Sequence, residues 1–181
     1  MSGTAPILHT GPLVLRLLQP ADAPALCCLA ADKRIAATTI SVPHPYTQHH
    51  AESFIQHAQQ EYSQGASVIF AVTASSWDGA SARGQLLSLT RKAGGNQAEL
   101  GYWIGVPHWR QGFAQLAAKA VVEYAFGTLK LARLHANCFA SNTASSKVLA
   151  KVGMHREFLL AKSHEKWGVL QDEEFWCIDA P

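Results

Sequence analysis

The sharpest chemical signal in the sequence lies in Pro107–Gln115, where a predicted strand ends and a predicted long helix begins. Gly112 and Ala114 leave the first helical turn without bulky side chains, so a large anion can approach the backbone. The N–H groups of a first turn point outward at the positive end of the helix dipole, and Arg110 adds a full charge beside them. Taken alone, the segment fits either a phosphate-binding loop or a helix start whose small residues serve packing against a sheet.

A second candidate segment begins at Asn142. Asn142 is a suitable N-cap for a short helix that Gly153 would end. Capping uses the amide oxygen of an asparagine and leaves its NH₂ group to donate elsewhere. Asn142 is therefore interpreted as a helix cap, as a polar ligand of a bound molecule, or as both. Ser145 stands in the first turn of the same helix.

The elements that would position these segments follow from hydrophobic periodicity and from the breaks between periodic stretches. Strands are predicted at 13–17, 68–73, 85–90, 99–104, 133–139, 154–162 and 170–178. Helices are predicted from Pro20, between Thr47 and Gly65, at 111–128, and between Asn142 and Gly153. A polar turn at 75–82 and a hairpin turn at 93–96 would join the strands of an antiparallel meander. The helix at 111–128 lets the strands before and after it lie parallel.

Composition limits the class of protein. With 181 residues, 48% apolar and 15% charged, the chain predicts one globular domain over residues 1–181, with a lid-like helical region at about 20–65. A formal net charge of +2 without a run of Lys or Arg argues against nucleic-acid binding. No stretch approaches the ~20 apolar residues of a membrane span. The short apolar stretch 13–18 is interrupted by Arg16 and does not fit a secretory signal, so we expect a cytoplasmic protein.

Residue types that often bind metals give no convincing pattern. The cluster of His49, His50 and His57 has no acidic or Cys ligand at a spacing that would complete a site, so we predict no metal. The four cysteines include no CxxC pair, and we expect buried, reduced thiols.

In order and spacing, several segments together resemble the Gcn5-related N-acetyltransferase (GNAT) superfamily, from about Leu13 to Ile178. Two of them resemble its pyrophosphate-binding segment: Glu99-Leu-Gly-Tyr-Trp-Ile104 and Trp109-Arg-Gln-Gly-Phe-Ala114. A third, Asn142 to Gly153, is similar to its downstream segment. Three more are similar to its ribosomal-protein alanine/serine N-acetyltransferase (RimJ/RimL-like) branch: Thr10–Arg16, Pro20–Asp22 and Pro45–Thr47. The chain departs from the superfamily at Leu116, where a Glu is common.

The resemblance implies an α+β fold, with a mostly antiparallel, splayed sheet of about seven strands flanked by helices. It implies acetyl-CoA as the cosubstrate, bound between the two central parallel strands. The implied coenzyme contacts are the backbone of Ile104, Gly105 and Val106 for the pantetheine arm, and Arg110, Gln111, Gly112, Phe113, Ala114 and Gln115 for the pyrophosphate. Asn142 and Ser145 would lie near the thioester.

The implied reaction is direct acetyl transfer to a primary amine, foremost a protein or peptide N-terminal α-amine, which needs little help to lose its proton near neutral pH. Ser145 would protonate the leaving thiolate, with Asn142 orienting the pantetheine. Glu99 is the favoured general base, with His164 and Glu165 as rivals, although each also fits a solvent-facing charge. Tyr102 is a candidate substrate contact, equally a wall or core residue.

Tyr46 and His164 complete the candidate acceptor contacts. Two other functions stay open: acetylation of a small-molecule amine, and an acyl-CoA sensor without catalysis. The acceptor amine is the expected partner, with no nucleic acid and no membrane. Exposed apolar residues at the ends of the last strands leave both a monomer and a homodimer open.

Overall fold

The computed structural model describes residues 5–74, 85–91 and 95–181. The predicted turn at 75–82 and half of the hairpin turn at 93–96 lie outside these residues. The described part of the chain forms one mixed sheet of eight strands, with helices packed on both faces. This confirms the mixed α+β fold, with a large sheet flanked by helices, that the resemblance implies.

The strands follow one another in a nearly continuous meander. In chain order they are β1 Leu8–Thr10, β2 Leu13–Leu17, β3 Ser67–Ala74, β4 Gln85–Arg91, β5 Gln97–Trp103, β6 Arg133–Phe139, β7 His155–Lys166 and β8 Val169–Asp179. Across the sheet the order is β1-β2-β3-β4-β5-β6-β8-β7. β5 and β6 are parallel, and the other neighbouring pairs are antiparallel.

The helices are α1 Ala23–Ala30, α2 Lys33–Thr38, α3 Gln48–Gln64, α4 Phe113–Gly127 and α5 Thr143–Lys151. Their ends follow local signals in the sequence. The side chain of Thr47 caps α3 by accepting the N–H of His50, and Gly65 ends that helix with a φ of 71°. Asn142 caps α5 through its side-chain oxygen. The caps therefore fix where α3 and α5 begin.

The two central strands separate soon after they meet. β5 and β6 pair only from Gln97 with Arg133 to Glu99 with His135. Both strands continue beyond that point, β5 to Trp103 and β6 to Phe139, but β6 then pairs with β8 alone. The space between the diverging ends is called the β5–β6 opening below.

Each face of the sheet carries its own apolar layer. On the first, called the α4 face, α4 and α5 cover alternate strand residues such as Leu100, Leu134 and Ala136. On the second, called the α3 face, α1 and α3 cover Ile69 and Leu86. Because successive strand residues point to opposite faces, each side chain of β5 and β6 can be assigned to one face.

Three features differ from the sequence-based expectations. The sheet has eight strands rather than about seven, because the three-residue β1 pairs with β2 around Gly11 and is too short to show a period. The long helix begins at Phe113 rather than at Gln111, because Gly112 adopts a left-handed conformation with φ of 79°. Of the four cysteines, which were expected to be buried, Cys28 is exposed and Cys27 is only half-buried.

Candidate active site

The segment that follows β5 turns sharply, and its carbonyl groups are already engaged. The carbonyl of Ile104 accepts the indole N–H of Trp109 at 2.6 Å. The carbonyl of Gly105 accepts the N–H of His108 at 2.9 Å, and that of Val106 accepts the N–H of Trp109 at 3.2 Å. The predicted pairing of this segment with a pantetheine arm would therefore rely chiefly on its N–H groups.

Helices α1 and α2 hold this turn from the α3 face. A Cβ placed on Gly105 would lie 3.0 Å from the side chain of Leu29, so the helix packs directly on the glycine backbone. The guanidinium of Arg34 lies 5.9 Å from the ring centroid of Trp109 and is itself fixed by a 2.7 Å ion pair with Asp32. The turn is thus clamped between its own hydrogen bonds and the first two helices.

The start of α4 is open to an approaching anion. The helical ladder begins with the N–H of Leu116, which donates to the carbonyl of Gly112, so the N–H groups of Ala114 and Gln115 lie ahead of it. A Cβ on Gly112 would meet nothing within 4 Å. Arg110 is exposed beside this turn and adds positive charge. These residues fit a pyrophosphate, because free amides, a helix dipole and open space meet at one place.

Two other members of the predicted pyrophosphate segment have structural contacts. The side-chain amide of Gln111 donates to the carbonyl of Pro107 at 3.1 Å, which fixes the loop before the helix. The ring of Phe113 packs against that of His108, with 6.4 Å between centroids. Both residues therefore shape the loop, whichever atoms contact a ligand.

A pair of hydroxyl groups bridges β5 and α5 on the α4 face. The hydroxyl oxygens of Tyr102 and Ser145 are 2.9 Å apart, and the Tyr102 hydroxyl also lies 3.2 Å from the Ser145 carbonyl. Burial raises the pKa of Tyr102 well above its ordinary value, against a smaller opposing effect of the hydrogen bond to Ser145. Tyr102 therefore stays protonated near neutral pH and can act as a donor to Ser145. This side chain was predicted as a substrate contact, but its partner is the proposed proton donor.

Asn142 uses both ends of its side-chain amide within the protein. Its oxygen accepts the N–H of Ser145 at 3.2 Å, as expected of a cap. Its NH₂ group, which the sequence analysis left available for a ligand, donates to the carbonyl of Thr38 at 3.1 Å. One hydrogen of that group is thus committed to tethering α2 to α5, and only the other can reach a ligand.

Glu99 lies on the opposite face of the sheet from the Tyr102–Ser145 hydroxyl pair. It has the same strand parity as Trp103, which packs on the α3 face, whereas Tyr102 belongs to the α4 face. The Glu99 side chain is 49% exposed and lies 3.9 Å from the imidazole of His135. It therefore stands at the closed end of the β5–β6 opening, on the opposite face from Ser145.

The other predicted acceptor contacts lie around the α3 face. The ring of His164 packs on Phe139, with 5.5 Å between centroids, at the far end of β6. The ring of Tyr46 lies 5.5 Å from that of His50 and packs against the α1–α3 layer. Burial raises the pKa of Tyr46 to about 12. His164 and Tyr46 are thus separated from Tyr102 by the sheet. Glu165, the rival base, lies in the paired part of β7, which extends to Lys166, and its side chain is exposed.

Sequence reasoning missed the cation that holds the loop 39–42 over this face. The ammonium of Lys166 donates to the carbonyls of Thr39, Ile40 and Val42 at 3.0, 3.2 and 3.2 Å. Burial lowers the pKa of this lysine. No local signal could have identified the contact, because its two sides are more than a hundred residues apart in the chain.

Within residues 5–74, 85–91 and 95–181, no three His, Cys, Asp or Glu side chains form a group that could hold a metal ion. His50 instead accepts at the start of α3, and His57 lies 3.2 Å from Glu61. None of the helices in the described part of the chain is both long and apolar enough to cross a bilayer.

The chain is similar in sequence to known proteins. Residues 12–155 match the family model described as "Acetyltransferase (GNAT) domain". The uncharacterized N-acetyltransferase p20 of Bacillus licheniformis is 29% identical over 91% of both chains. The uncharacterized N-acetyltransferase YoaA of Bacillus subtilis is 38% identical over 47% of this chain, and that match spans about half (48%) of YoaA.

Solved structures agree on the fold. A complex of RimL, described as a ribosomal L7/L12 α-N-protein acetyltransferase, with coenzyme A superposes with a TM-score of 0.86. The match covers 97% of this chain and 98% of that one at 17% identity, so it concerns the fold alone. The splayed parallel pair, the bare start of α4 and a family match over most of the chain lead to one conclusion: this protein belongs to the GNAT family of acetyltransferases.

Proposed function

We propose that this protein is an acetyl-CoA-dependent N-acetyltransferase that acts by direct transfer on a primary amine, specifically a protein or peptide N-terminal α-amine. The observation that carries the proposal is the β5–β6 opening. It has the anion-compatible start of α4 and the Tyr102–Ser145 hydroxyl pair on one face, and a separate, partly covered surface on the other. A coenzyme on the α4 face and an amine on the α3 face could therefore meet between the diverging strands.

When bound, acetyl-CoA would supply a thioester whose carbonyl carbon a neutral amine can attack. Ser145 is the proposed donor to the departing sulfur, and Tyr102 replenishes the Ser145 proton through their 2.9 Å contact. The N–H of Ile104 is the proposed donor to the developing oxyanion. Together these groups would stabilise charge where it develops and keep the two reactants aligned.

The acceptor class is inferred from chemistry. An α-amine has an ordinary pKa of about 7.7–8.0 and is partly neutral near pH 7, so a strong side-chain base is dispensable. Glu99 remains a proposed base that would act through water, from its exposed position on the α3 face. Tyr46 and His164, with the loop 39–42, would border the amine. The histidine and aromatic character of this region suits a peptide N-terminus better than a polycation.

The test is release of free coenzyme A thiol from acetyl-CoA by the purified protein. The acceptors would be peptides beginning with Ala or Ser, free amino acids and aminoglycosides. Turnover confined to the peptides is expected. Turnover of free amino acids or aminoglycosides alone would move the assignment to small-molecule acetylation. Tight acetyl-CoA binding by calorimetry without turnover of any amine would favour the sensor function, and absence of acetyl-CoA binding would overturn the proposal.

A further inference from the structure

Two adjacent glutamates of β8 are buried on opposite faces of the sheet. Glu173 is 9% exposed and Glu174 is 7% exposed. Glu174 pairs in register with Cys138, whose side chain belongs to the α4 face. Glu173 pairs with Phe139, so its side chain lies on the α3 face. Two carboxylates of nearly equal burial thus face two different environments.

The charge of Glu174 is well compensated. One carboxylate oxygen accepts the guanidinium of Arg156 at 2.8 Å. The other accepts the hydroxyl of Ser146 at 2.7 Å and the indole N–H of Trp176 at 3.1 Å. These three donors give Glu174 a structural role, since they tie the first turn of α5 to β8 and β7.

The charge of Glu173 has much less compensation. The hydroxyl of Ser163 donates to one of its oxygens at 3.0 Å, but the same hydroxyl lies 3.3 Å from the carbonyl of Leu160 and has a single proton to share. Among the residues that the structure describes, Glu173 takes part in none of the ion pairs. A buried carboxylate with so few donors is costly unless a ligand supplies a positive charge.

The side-chain oxygen of Asn137 is a second buried hydrogen-bond acceptor on the same face of the sheet. Asn137 has the same strand parity as Phe139, two residues further along β6, and stands beyond the last β5–β6 pair. Its buried side-chain oxygen has no hydrogen-bond partner within the described residues. Phe139, which separates Asn137 from Glu173, has its carbonyl bonded to the N–H of Asn142 at 2.8 Å. The end of β6 that carries this face is thus joined through its backbone to Asn142, the residue predicted to lie near the thioester.

We propose that Glu173 is the residue that binds the acceptor's amine, with Asn137 as a second hydrogen-bond acceptor. This inference rests on the proposed function and deepens it by naming the group that recognises the substrate. A primary amine offers two N–H donors when neutral, the form that attacks the thioester, and three N–H donors with a positive charge when protonated. One carboxylate and one amide oxygen can accept from both forms. A single carboxylate suits a single ammonium, consistent with a peptide α-amine rather than a polycationic acceptor.

The experiment compares Glu173→Gln with Glu174→Gln in the full chain. Glu173→Gln should raise the KM for an Ala-first peptide about tenfold or more, because it removes the charge from a charge-assisted hydrogen bond. The acetyl-CoA dissociation constant from calorimetry should stay within twofold of the wild-type value. Without ligand, the Tm of Glu173→Gln should equal or exceed that of the wild type, whereas the Tm of Glu174→Gln should be lower. Glu173→Asp, which keeps the charge, should give a KM between those of the wild type and Glu173→Gln.

The outcomes separate this inference from the proposed function. If the wild type turns over an amine and Glu173→Gln keeps the same KM for it, the inference is overturned and the acetyltransferase assignment stands. If the wild type turns over no amine, the proposed function fails. Calorimetry with alaninamide in the presence of coenzyme A then tests whether Glu173 binds an amine. Binding by the wild type that Glu173→Gln weakens supports the inference, and equal binding by both or no binding by either overturns it.

Discussion

The hydroxyl oxygens of Tyr102 and Ser145 lie 2.9 Å apart and join the end of β5 to the first turn of α5. The two residues are 43 positions apart in the chain, and the contact exists because β5 and β6 diverge and let α5 approach from the α4 face. Burial raises the pKa of Tyr102, so the phenol remains a donor over the physiological pH range. In the proposed mechanism this pair would pass a proton toward the departing sulfur.

Replacing Ser145 by Ala tests this arrangement. We expect kcat to fall about 100-fold, the size of a general-acid contribution, while the acetyl-CoA dissociation constant changes less than threefold. Steady-state kinetics and calorimetry would give the two quantities. Ser146→Ala is the matched control in the same helical turn, because its hydroxyl donates to Glu174 and should affect Tm rather than kcat. An unchanged kcat in Ser145→Ala would remove Ser145 from the mechanism.

Gly112→Ala tests the anion site at the start of α4. The position has φ of 79°, where an added Cβ is strained, although no other atom lies within 4 Å of it. We expect a loss of about 1 kcal/mol in the free energy of unfolding. The acetyl-CoA dissociation constant should rise about tenfold, since the methyl group would enter the space that a pyrophosphate needs.

Gly127→Ala is the control for that variant. Gly127 ends the same helix, an added Cβ there also meets nothing within 4 Å, and its φ is not positive. Alanine should stabilise the helix by about 0.5–1 kcal/mol and leave the acetyl-CoA dissociation constant unchanged. Thermal unfolding and calorimetry on both variants would separate backbone strain from coenzyme binding. Equal dissociation constants in the two variants would argue against an anion site at Gly112.

Local signals predicted most of the fold. Thr47, Gly65 and Asn142 act within a few residues of their own positions, so they located the helix ends from sequence alone. The alternation of apolar residues located β6 with its observed ends. β1 was missed because three residues carry too little pattern, and its pairing with β2 supplies what the sequence does not display.

The contacts that complete the candidate site were less predictable. The amide of Asn142 reaches Thr38, which is 104 positions away, and Lys166 reaches Thr39, which is 127 positions away. Such pairs depend on how the sheet closes, not on the residues beside them. The face on which Glu173 lies follows from its register with β6, which cannot be read from β8 alone. The sequence therefore identifies candidate site residues, but their hydrogen-bond partners depend on long-range packing.

Lys166→Met tests the tether over the α3 face. The ammonium binds three carbonyls of the loop 39–42, and methionine keeps most of the apolar stem while removing all three hydrogen bonds. We expect the acceptor KM to rise about fivefold or more and the acetyl-CoA dissociation constant to stay unchanged, because the three hydrogen bonds hold the loop over the α3 face, where the acceptor is proposed to bind. Lys162→Met, at an exposed position of the same strand, is the control. A rise in the acetyl-CoA dissociation constant with an unchanged KM would contradict this division of the two faces.

Glu174→Gln tests the compensated carboxylate through its pH dependence. Burial alone would raise the pKa of Glu174, but hydrogen bonds from Ser146, Arg156 and Trp176, with the charge of Arg156, hold it below the ordinary 4.5. A carboxyl with a lowered folded-state pKa stabilises the fold above its unfolded pKa, and that stability is lost as the pH falls through the folded value. The variant should lose about 2 kcal/mol of unfolding free energy at pH 7.

As the pH falls below the ordinary carboxyl pKa of 4.5, the difference in unfolding free energy between wild type and Glu174→Gln should begin to shrink. It should be smallest below the lower folded-state pKa, where Glu174 is protonated in the folded protein as well. Urea unfolding at several pH values between neutrality and this range would measure it. Arg156 is 53% exposed, so solvent screens its part of the interaction. The half-buried donors Ser146 and Trp176 should therefore account for most of the loss. If the difference in unfolding free energy stays constant with pH, the charge of Glu174 contributes nothing to stability, and its hydrogen bonds alone support α5.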